Sequence, residues 1–235
     1  MERTSSQKGS TRAIPVSKAT AASTVFAGIR QEILTGKLEP GMKLRVEALC
    51  SRYDATANPV REALNRLVSD GLVVIEDQKG FSVAPVSIDH WRELVWTRCV
   101  VESCALREAI ANPTVAWEDE IVLSLHRLTR TSRFISEENR TPNPDWETAH
   151  HRFHNALISS GSSSILLKFC EDLREKTDRY RHIASIAPTA RTDYNGEHQA
   201  IADHCIARNA NDAVNALVEH YRHTLSVVES YFEKD

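Results

Sequence analysis

All ten histidines of this 235-residue chain lie after residue 87, and four of them are spaced so that they could bind one metal ion. His150 and His154 are four residues apart, so both imidazoles share one face of a helix and reach the same point. His198 and His220 each lie among apolar residues in two later helical segments. Four imidazoles that meet inside a helical bundle would suit zinc, nickel, iron or copper. Taken singly, each histidine is better explained as an ordinary core or surface residue.

A second set of candidate functional side chains lies in the segment 56–67. The pattern of this segment predicts a recognition helix that enters the major groove of DNA. Thr56 is the expected N-cap, with its hydroxyl accepting a backbone N–H. The apolar stripe that would face the core consists of Val60, Leu64 and Leu67. The outer side carries Asn58, Arg61 and Asn65. These polar side chains are long enough to reach base edges or phosphates.

Two further cations are candidates for contacts with DNA. Lys79 lies in a tight turn between two predicted strands, where it would reach the minor groove or its phosphates. Arg52 lies on the preceding predicted helix and fits a DNA contact or a solvated side chain equally well. Arg61 also has a second interpretation, as the partner of Glu62 or Asp54 in a surface ion pair.

The elements that position these side chains follow the order of a winged helix-turn-helix, over residues 21–86. Residues 1–20 are rich in Ser, Thr and Lys without a hydrophobic period, which predicts a flexible N-terminal arm. Apolar spacing from about residue 21 then predicts a helix that stops at Gly36. A helix-turn-helix and a two-stranded ribbon follow, over Val46–Tyr53, Thr56–Ser69, Leu72–Glu76 and Phe81–Pro85. Residues 77–80 form the predicted turn of the ribbon.

The second domain, residues 87–235, is predicted to be all-helical, and no strand signal appears after residue 86. Helices are predicted near 88–111, 115–136, 145–159, 162–184, 192–208 and 210–232. Six helices of this length predict an antiparallel six-helix bundle. The fold class is therefore mainly α, with an N-terminal winged helix-turn-helix and a C-terminal bundle.

The composition is that of a globular protein and excludes several other classes. Hydrophobic residues make up 41% and charged residues 26% of the chain. No apolar run reaches the roughly 18–20 residues of a membrane span, and the N-terminus lacks a secretory signal, so we expect a cytoplasmic protein without a membrane partner. Five cysteines without a C-x-x-C spacing exclude a zinc ribbon. Cys99 and Cys104 lie in an apolar helical pattern and are expected to be buried thiols.

The two predicted domains carry opposite net charge. Residues 1–86 contain 12 Lys and Arg against 9 Asp and Glu, whereas residues 87–235 contain 17 against 23. Only the first domain therefore has the positive balance expected of a surface that meets phosphate.

The N-terminal domain resembles the GntR family of bacterial regulators over residues 22–85. The resemblance rests on Pro40-Gly41, on the core Pro59-Val60-Arg61-Glu62-Ala63-Leu64, on Gly71-Leu72-Val73 and on Gly80-Phe81. It implies a winged helix that binds operator DNA. Members usually begin the recognition helix with Ser-Arg-Thr-Pro, and here Ala57 replaces the arginine, so base readout must rely on Asn58, on Arg61 or on DNA shape. Arg45 stands where a capping Ser is frequent and could instead hold a phosphate.

Residues 90–228 resemble the FCD ligand-binding domain of the FadR-type subgroup, and the predicted helix count is similar to its VanR-like branch. The matching pieces are Arg98-x-x-x-Glu102, Phe153-His154-x-x-Leu157, Glu197-His198-x-x-Ile201 and Ala216-x-x-x-His220. The resemblance implies a divalent metal, with zinc or nickel favoured, and as its ligands it implies His150, His154, His198 and His220. Many such domains have an Asp at the position of His150.

The same resemblance implies a small carboxylate effector beside the metal and a homodimer on a near-palindromic operator. Arg98 and Arg181 are the cations best placed for the carboxylate. For Arg98 the alternative is an internal salt bridge with Glu102.

Together these features predict a transcriptional repressor whose affinity for operator DNA is controlled by a carboxylate bound near a metal. The chief alternative is a metal-dependent enzyme that uses the histidine cluster, and a second is a DNA-binding structural protein without an effector, which would leave the polar cluster without a purpose. No general acid or base stands beside the cluster in the sequence, as the Glu of H-E-x-x-H does. An enzyme would also leave the winged helix unexplained.

Overall fold

The computed structural model describes residues 20–76, 78–136, 138, 140–161, 163–185 and 194–232. Three predictions fall wholly or partly outside this range. The predicted arm lies outside it except for Thr20, and so do Asp77 of the predicted ribbon turn and the predicted helix break at Pro188.

The N-terminal domain is a winged helix-turn-helix, as predicted. Its helices are α1 (Ala21–Leu34), α2 (Val46–Tyr53) and α3 (Ala57–Ser69), and its strands are β1 (Lys43–Leu44), β2 (Val73–Glu76) and β3 (Gly80–Val83). The strands form an antiparallel sheet in the order β1-β3-β2. The core forms where α1 packs on α3 and α3 packs on β2, and it is lined by the side chains of Val25, Ile29, Val60, Leu64, Leu67 and Val83.

The sequence predicts a ribbon of two strands, and the structure adds a third. In β1, Lys43 pairs with Ser82 and Leu44 pairs with Phe81. A strand of two residues is too short to show an alternating pattern. Its pairing depends on the neighbouring strand β3, and a contact of this kind cannot be predicted from the local sequence.

The C-terminal domain contains the six predicted helices within the described residues. They are α4 (Ile88–Ala111), α5 (Val115–Arg130), α6 (Pro144–Ile158), α7 (Ser164–Ser185), α8 (Tyr194–Ile206) and α9 (Ala210–Phe232). The most extensive helix pairs are α4 with α9, α5 with α6 and α8 with α9. Their apolar faces enclose one core, whose largest fully buried side chains include Trp91, Phe153, Leu106 and Ile121.

The prediction that no strand follows residue 86 is wrong. A short antiparallel pair, β4 (Phe134–Ser136) and β5 (Thr141–Pro142), joins α5 to α6, and α5 accordingly ends at Arg130 rather than at residue 136. The pair is irregular in register. The backbone N–H of Asn143 donates to the carbonyl of Arg133 at 3.0 Å and closes the hairpin. Segments this short lack the alternation by which a strand is recognised.

Helix α7 docks against the N-terminal domain and against residues 85–87, which form the linker between the two domains. Arg179, which is buried, donates a hydrogen bond to the carbonyl of Ala84. Glu175 forms a salt bridge of 3.3 Å with Arg30 of α1. One helix of the sensor bundle therefore contacts both the end of the winged helix and its first helix.

The cysteines only partly match the prediction of buried thiols. Cys99 is half-buried, but Cys104 is exposed because it lies on the outer side of α4, one turn after the exposed Val100. Cys170 and Cys205 are the buried thiols among the described residues. Across the described ranges, none of the helices is both long and apolar enough to cross a membrane.

Candidate functional site

The structure brings together all four histidines that the sequence singles out. His150 and His154 project from α6, His198 from α8 and His220 from α9, and all four are buried. One ring nitrogen of each lies within 4.8 Å of the corresponding nitrogen of every other. Three helices thus deliver four imidazoles to one point inside the bundle.

The geometry of the cluster fits a metal ion. The Nε2 atoms of His150 and His154 are 3.1 Å apart, and with metal–nitrogen bonds of about 2.1 Å they would subtend about 95° at the ion. The Nδ1 atom of His150 is buried without a hydrogen-bond partner in the described part of the chain. Burial, followed by the neighbouring imidazoles and arginines, holds the pKa values of His150 and His154 well below 6.5. Both rings are therefore neutral at pH 7, as metal ligation requires.

Carboxylate and hydroxyl groups around the cluster orient its imidazoles. The Nδ1 atom of His220 lies 2.9 Å from Glu197 Oε2, and the other oxygen of Glu197 lies 2.9 Å from Nδ1 of His223. This arrangement turns Nε2 of His220 toward the cluster, as in carboxylate–histidine–metal triads. On the opposite side, the hydroxyl of Tyr221 lies 3.4 Å from Nδ1 of His154. The sequence pattern does not predict this role for Glu197, although Glu197 directly precedes His198.

His151 is excluded from the cluster, as its helical position predicts. Its Nε2 atom lies 2.8 Å from Asp178 of α7. With Glu147 these two residues form a second group of possible metal ligands. However, the guanidinium of Arg181 already binds Glu147 at 2.5 Å and Asp178 at 2.8 Å. An arginine therefore supplies the positive charge at this second group.

A cavity lies beside the histidine cluster and shares two of its residues, His150 and His220. One part of its wall is aromatic or aliphatic and consists of Trp91, Val95, Trp146, Tyr221, Val227 and Val228. Another part carries three cations, Arg98, Arg133 and Arg181. Such a mixed wall suits a small molecule that has an anionic group and an apolar body.

The two arginines predicted to meet an effector both line this cavity, and both are also engaged inside the protein. Arg98 donates from Nε to Glu102 at 2.7 Å and from a terminal nitrogen to Thr177 at 3.1 Å. The internal salt bridge with Glu102 is thus present, and it holds the guanidinium at the cavity wall. Arg181 is held by Glu147 and Asp178 as described above.

Arg133 is a cavity cation that sequence analysis missed. Its guanidinium lies 5.3 Å from the ring of Trp146, and that ring in turn stacks on the imidazole of His150 at 4.7 Å. The sequence predicts Arg133 inside a continuous helix over 115–136, where nothing would connect it with the histidines. The turn out of α5 at Arg130 is what brings it to the site.

A buried carboxylate, Glu102, joins the cavity to the cluster. It accepts from Arg98, from Arg174 at 3.3 Å and from the hydroxyl of Tyr221 at 2.6 Å. Burial alone would raise the pKa of Glu102, but the two guanidinium groups and the Tyr221 hydrogen bond hold it below its ordinary value. The group is therefore ionised and fixes both an arginine of the cavity wall and a tyrosine that touches His154.

The recognition helix presents the predicted polar face. Asn58, Arg61 and Asn65 of α3 are exposed, whereas Val60 and Leu64 are fully buried. In the described part of the chain, Arg61 makes no ion pair, so the alternative of a surface ion pair with Glu62 or Asp54 is absent. An open groove along α3 is lined by Asn58, Arg61, Glu62, Asn65, Arg66 and Ser69.

The other side chains predicted to contact DNA differ in whether they are already paired within the protein. Arg52 pairs with Glu32 at 2.9 Å and Lys79 pairs with Glu76 at 2.8 Å, so both would have to exchange a partner for a phosphate. Arg45 is exposed at the N-cap of α2 without a side-chain capping bond.

The predicted capping bond of Thr56 is wrong. Thr56 is the N-cap residue of α3, but its hydroxyl makes no hydrogen bond to the helix. The residue has extended backbone angles of φ −79° and ψ 167°. Thr56 is exposed, as are Ala57 and Asn58 of the first turn, and a helix N-terminus of this kind can bind phosphate.

Two family models match the chain. The model described as "Bacterial regulatory proteins, gntR family" matches residues 21–83, and the model described as "FCD domain" matches residues 93–223. Among similar proteins, the "Uncharacterized HTH-type transcriptional regulator BphR" of Paraburkholderia xenovorans is 35% identical over 211 residues, which cover 88% of this chain and 84% of the relative. The "HTH-type transcriptional repressor GlaR" of Escherichia coli is 27% identical over 208 residues, covering 87% and 94%.

Solved structures share the fold. The structure of Escherichia coli McbR/YncC aligns with a TM-score of 0.71 at 20% identity, covering 92% of this chain and all of the other. A GntR-type regulator from Rhodococcus aligns with a TM-score of 0.70 at 23% identity, covering 89% and 97%.

Proposed function

The chain belongs to the GntR family of bacterial regulators and carries an FCD domain, and on that premise we propose that it is a repressor controlled by a small carboxylate bound beside a metal ion. It is a DNA-binding transcriptional regulator, and the alternative of a metal-dependent enzyme has no support among its relatives. Its site of action would be the cytoplasm, where operator DNA lies. The six-helix sensor domain favours the VanR-like branch of the subgroup.

One observation carries the effector proposal. His150 and His220 belong both to the imidazole cluster and to the wall of a cavity that also presents three arginines. A divalent metal ion, for which we favour zinc or nickel among the metals that imidazoles bind, would supply positive charge and a position for an oxygen ligand. Arg98 and Arg181 would then pair with the remaining charge of the carboxylate, while the apolar wall would contact its carbon skeleton.

For the DNA contacts, we propose that Arg61 and Asn58 read the major groove and that Thr56 and Arg45 hold phosphates. The exposed face of α3 and the uncapped starts of α2 and α3 support these roles. Arg52 and Lys79 would add phosphate contacts after leaving Glu32 and Glu76. The pair of Lys79 with Glu76 is exposed and weak in water, so exchanging it for a phosphate costs little. Glu32 is half-buried, so the release of Arg52 would cost more.

We further propose a homodimer that binds a near-palindromic operator. One recognition helix covers only a few base pairs, so two-fold symmetry doubles the sequence that is read. On α4, Trp96 and Val100 lie one turn apart and are 68% and 52% exposed. Large apolar side chains so placed support contact with a second copy. Sedimentation of the full-length protein as a monomer that still binds its operator tightly would contradict the dimer.

The test uses the intergenic DNA upstream of the gene in a titration with purified protein. Arg61→Ala should weaken binding by about 1–3 kcal/mol, whereas Arg127→Ala, an exposed arginine of α5, should leave it unchanged. Addition of a small carboxylate should change the affinity of the wild-type protein, and EDTA should abolish that response. Unchanged operator binding by folded Arg61→Ala would refute the role of α3, and a carboxylate response that survives complete metal removal would refute the metal-dependent effector site.

A further inference from the structure

Trp91 of α4 carries a buried hydrogen-bond donor with no partner. Its side chain lines the effector cavity and is 1% exposed. Its Nε1 atom is buried and makes no hydrogen bond to any described residue. By contrast, the indole of Trp117, also buried, donates to the carbonyl of Leu157 at 3.2 Å. A buried donor without an acceptor is costly, so its presence at a cavity wall points to an acceptor supplied by a ligand.

The ring of Trp91 also contacts the residue that holds the interdomain linker. It stacks on Tyr180 of α7, with ring centroids 5.0 Å apart and an interplanar angle of 21°. The hydroxyl of Tyr180 accepts the backbone N–H of Ser87 at 3.4 Å and lies 2.9 Å from Nδ1 of His90. Ser87 is the N-cap of α4 and belongs to the linker. The stacked pair of Trp91 and Tyr180 therefore connects the cavity wall to Ser87, in addition to the backbone N–H of Trp91, which donates to the carbonyl of Ser87 at 2.9 Å.

We propose that Trp91 donates its indole N–H to an oxygen of the bound carboxylate, and that its stack on Tyr180 passes this event to the linker. This inference rests on the effector site proposed above. When the carboxylate is bound, its oxygen stabilises those orientations of the Trp91 ring in which Nε1 lies within hydrogen-bond distance of it. Because Tyr180 packs on that ring, its hydroxyl then holds Ser87 differently in the occupied and empty states. The ligand thus favours one position of the linker over another, as a population shift requires.

The binding half of the proposal can be tested by NMR of the indole N–H groups. The chain has four tryptophans, so the zinc-loaded, full-length protein labelled with ¹⁵N gives at most four indole signals. The signal of Trp91 is identified by its loss in Trp91→Phe. Acetate, the simplest carboxylate, is the probe, and it should move the Trp91 indole proton downfield. Trp91→Phe should weaken acetate binding by about tenfold or more, as expected for a lost bond to a charged group.

The outcomes separate this inference from the proposed function. Phe169→Leu, at an exposed aromatic residue of α7 that does not line the cavity, is the control and should bind acetate like the wild type. If acetate moves the signal of Trp146, the other tryptophan of the cavity, but not that of Trp91, the role of Trp91 is overturned and the effector site stands. If acetate moves neither signal, the proposed effector site fails and the inference fails with it.

The coupling half is tested with Tyr180→Phe, which keeps the aromatic stack and removes the hydroxyl that contacts Ser87. Acetate affinity should stay within about twofold of the wild type, because no group in the cavity changes. The change in operator affinity caused by acetate should disappear. A variant that binds acetate and still shows the full change in operator affinity would overturn the relay through Tyr180.

Discussion

Replacement of Glu102 by glutamine should destabilise the sensor domain strongly, although the two side chains have nearly the same shape. The carboxylate is 1% exposed and binds two buried guanidinium groups, those of Arg98 and Arg174, together with the hydroxyl of Tyr221. Glutamine keeps one oxygen as an acceptor but removes the charge. Two buried cations then face each other without an anion between them.

The expected cost follows from that burial. Removal of one partner from a buried ion pair typically costs about 3–5 kcal/mol. Because glutamine retains an acceptor oxygen, we expect the lower end, about 3 kcal/mol. For a chain of this size that loss corresponds to a decrease of roughly 6–12 °C in melting temperature, which circular dichroism or calorimetry resolves easily.

The matched control is Glu120→Gln, the same substitution at the surface. Glu120 also accepts two hydrogen bonds from one arginine, Arg152, at 2.6 and 2.9 Å. That pair is solvated, so water compensates for its loss and the melting temperature should not change measurably. The comparison isolates burial, because the chemistry of the two substitutions is identical.

The pH dependence provides a second check. The arginines hold the folded-state pKa of Glu102 below the ordinary value of 4.5, so its stabilising contribution is present above 4.5 and is lost as the pH falls through the folded-state pKa. The difference between wild type and Glu102→Gln should therefore be full at pH 7 and shrink in acid. Equal, small effects of Glu102→Gln and Glu120→Gln at pH 7 would refute the argument.

Three further predictions concern the histidines and the cysteines. His154→Ala should abolish retention of a divalent metal measured by elemental analysis, whereas His151→Ala should retain about one ion per chain, and equal retention would contradict the site. Since burial holds the pKa values of His150 and His154 well below 6.5, protons should displace the metal only at a pH well below 6.5, and loss at pH 7 would argue against these ligands. A thiol reagent at pH 8 should label exposed Cys104 first and leave Cys205 unmodified, because burial raises the pKa of Cys205 to about 12; mass spectrometry of the labelled protein decides this.

Helices with strong boundaries could be predicted from the sequence. Helix α4 has the predicted bounds because Ser87 caps its start, with its side chain accepting from the N–H of His90, and Asn112-Pro113 ends it. The β4–β5 hairpin could not be predicted, since its two or three residues per strand carry no period. Phe134 of β4 is buried in the structure, but a single apolar residue fits the pattern of a helix equally well.

In the candidate site, too, the local features could be predicted from the sequence and the contacts between separate helices could not. The pair His150 and His154 is local, because a helix places residues four apart on one face. The approach of Glu197 to His220 and of Arg133 to Trp146 depends on how separate helices pack and where the chain turns. The missing hydrogen bond of Thr56 shows the converse, since a suitable residue at an N-cap need not make the bond that its type allows.

The docking of α7 on the winged helix limits which DNA-binding domains can be joined to this sensor domain. Arg179 is buried against the carbonyl of Ala84, and Glu175 pairs with Arg30. A DNA-reading head transplanted from another regulator would have to present a carbonyl at that same point, or a buried guanidinium would lose its acceptor. The linker is therefore a poor junction for a chimera, and the residues on its two sides are expected to change together as such proteins diverge.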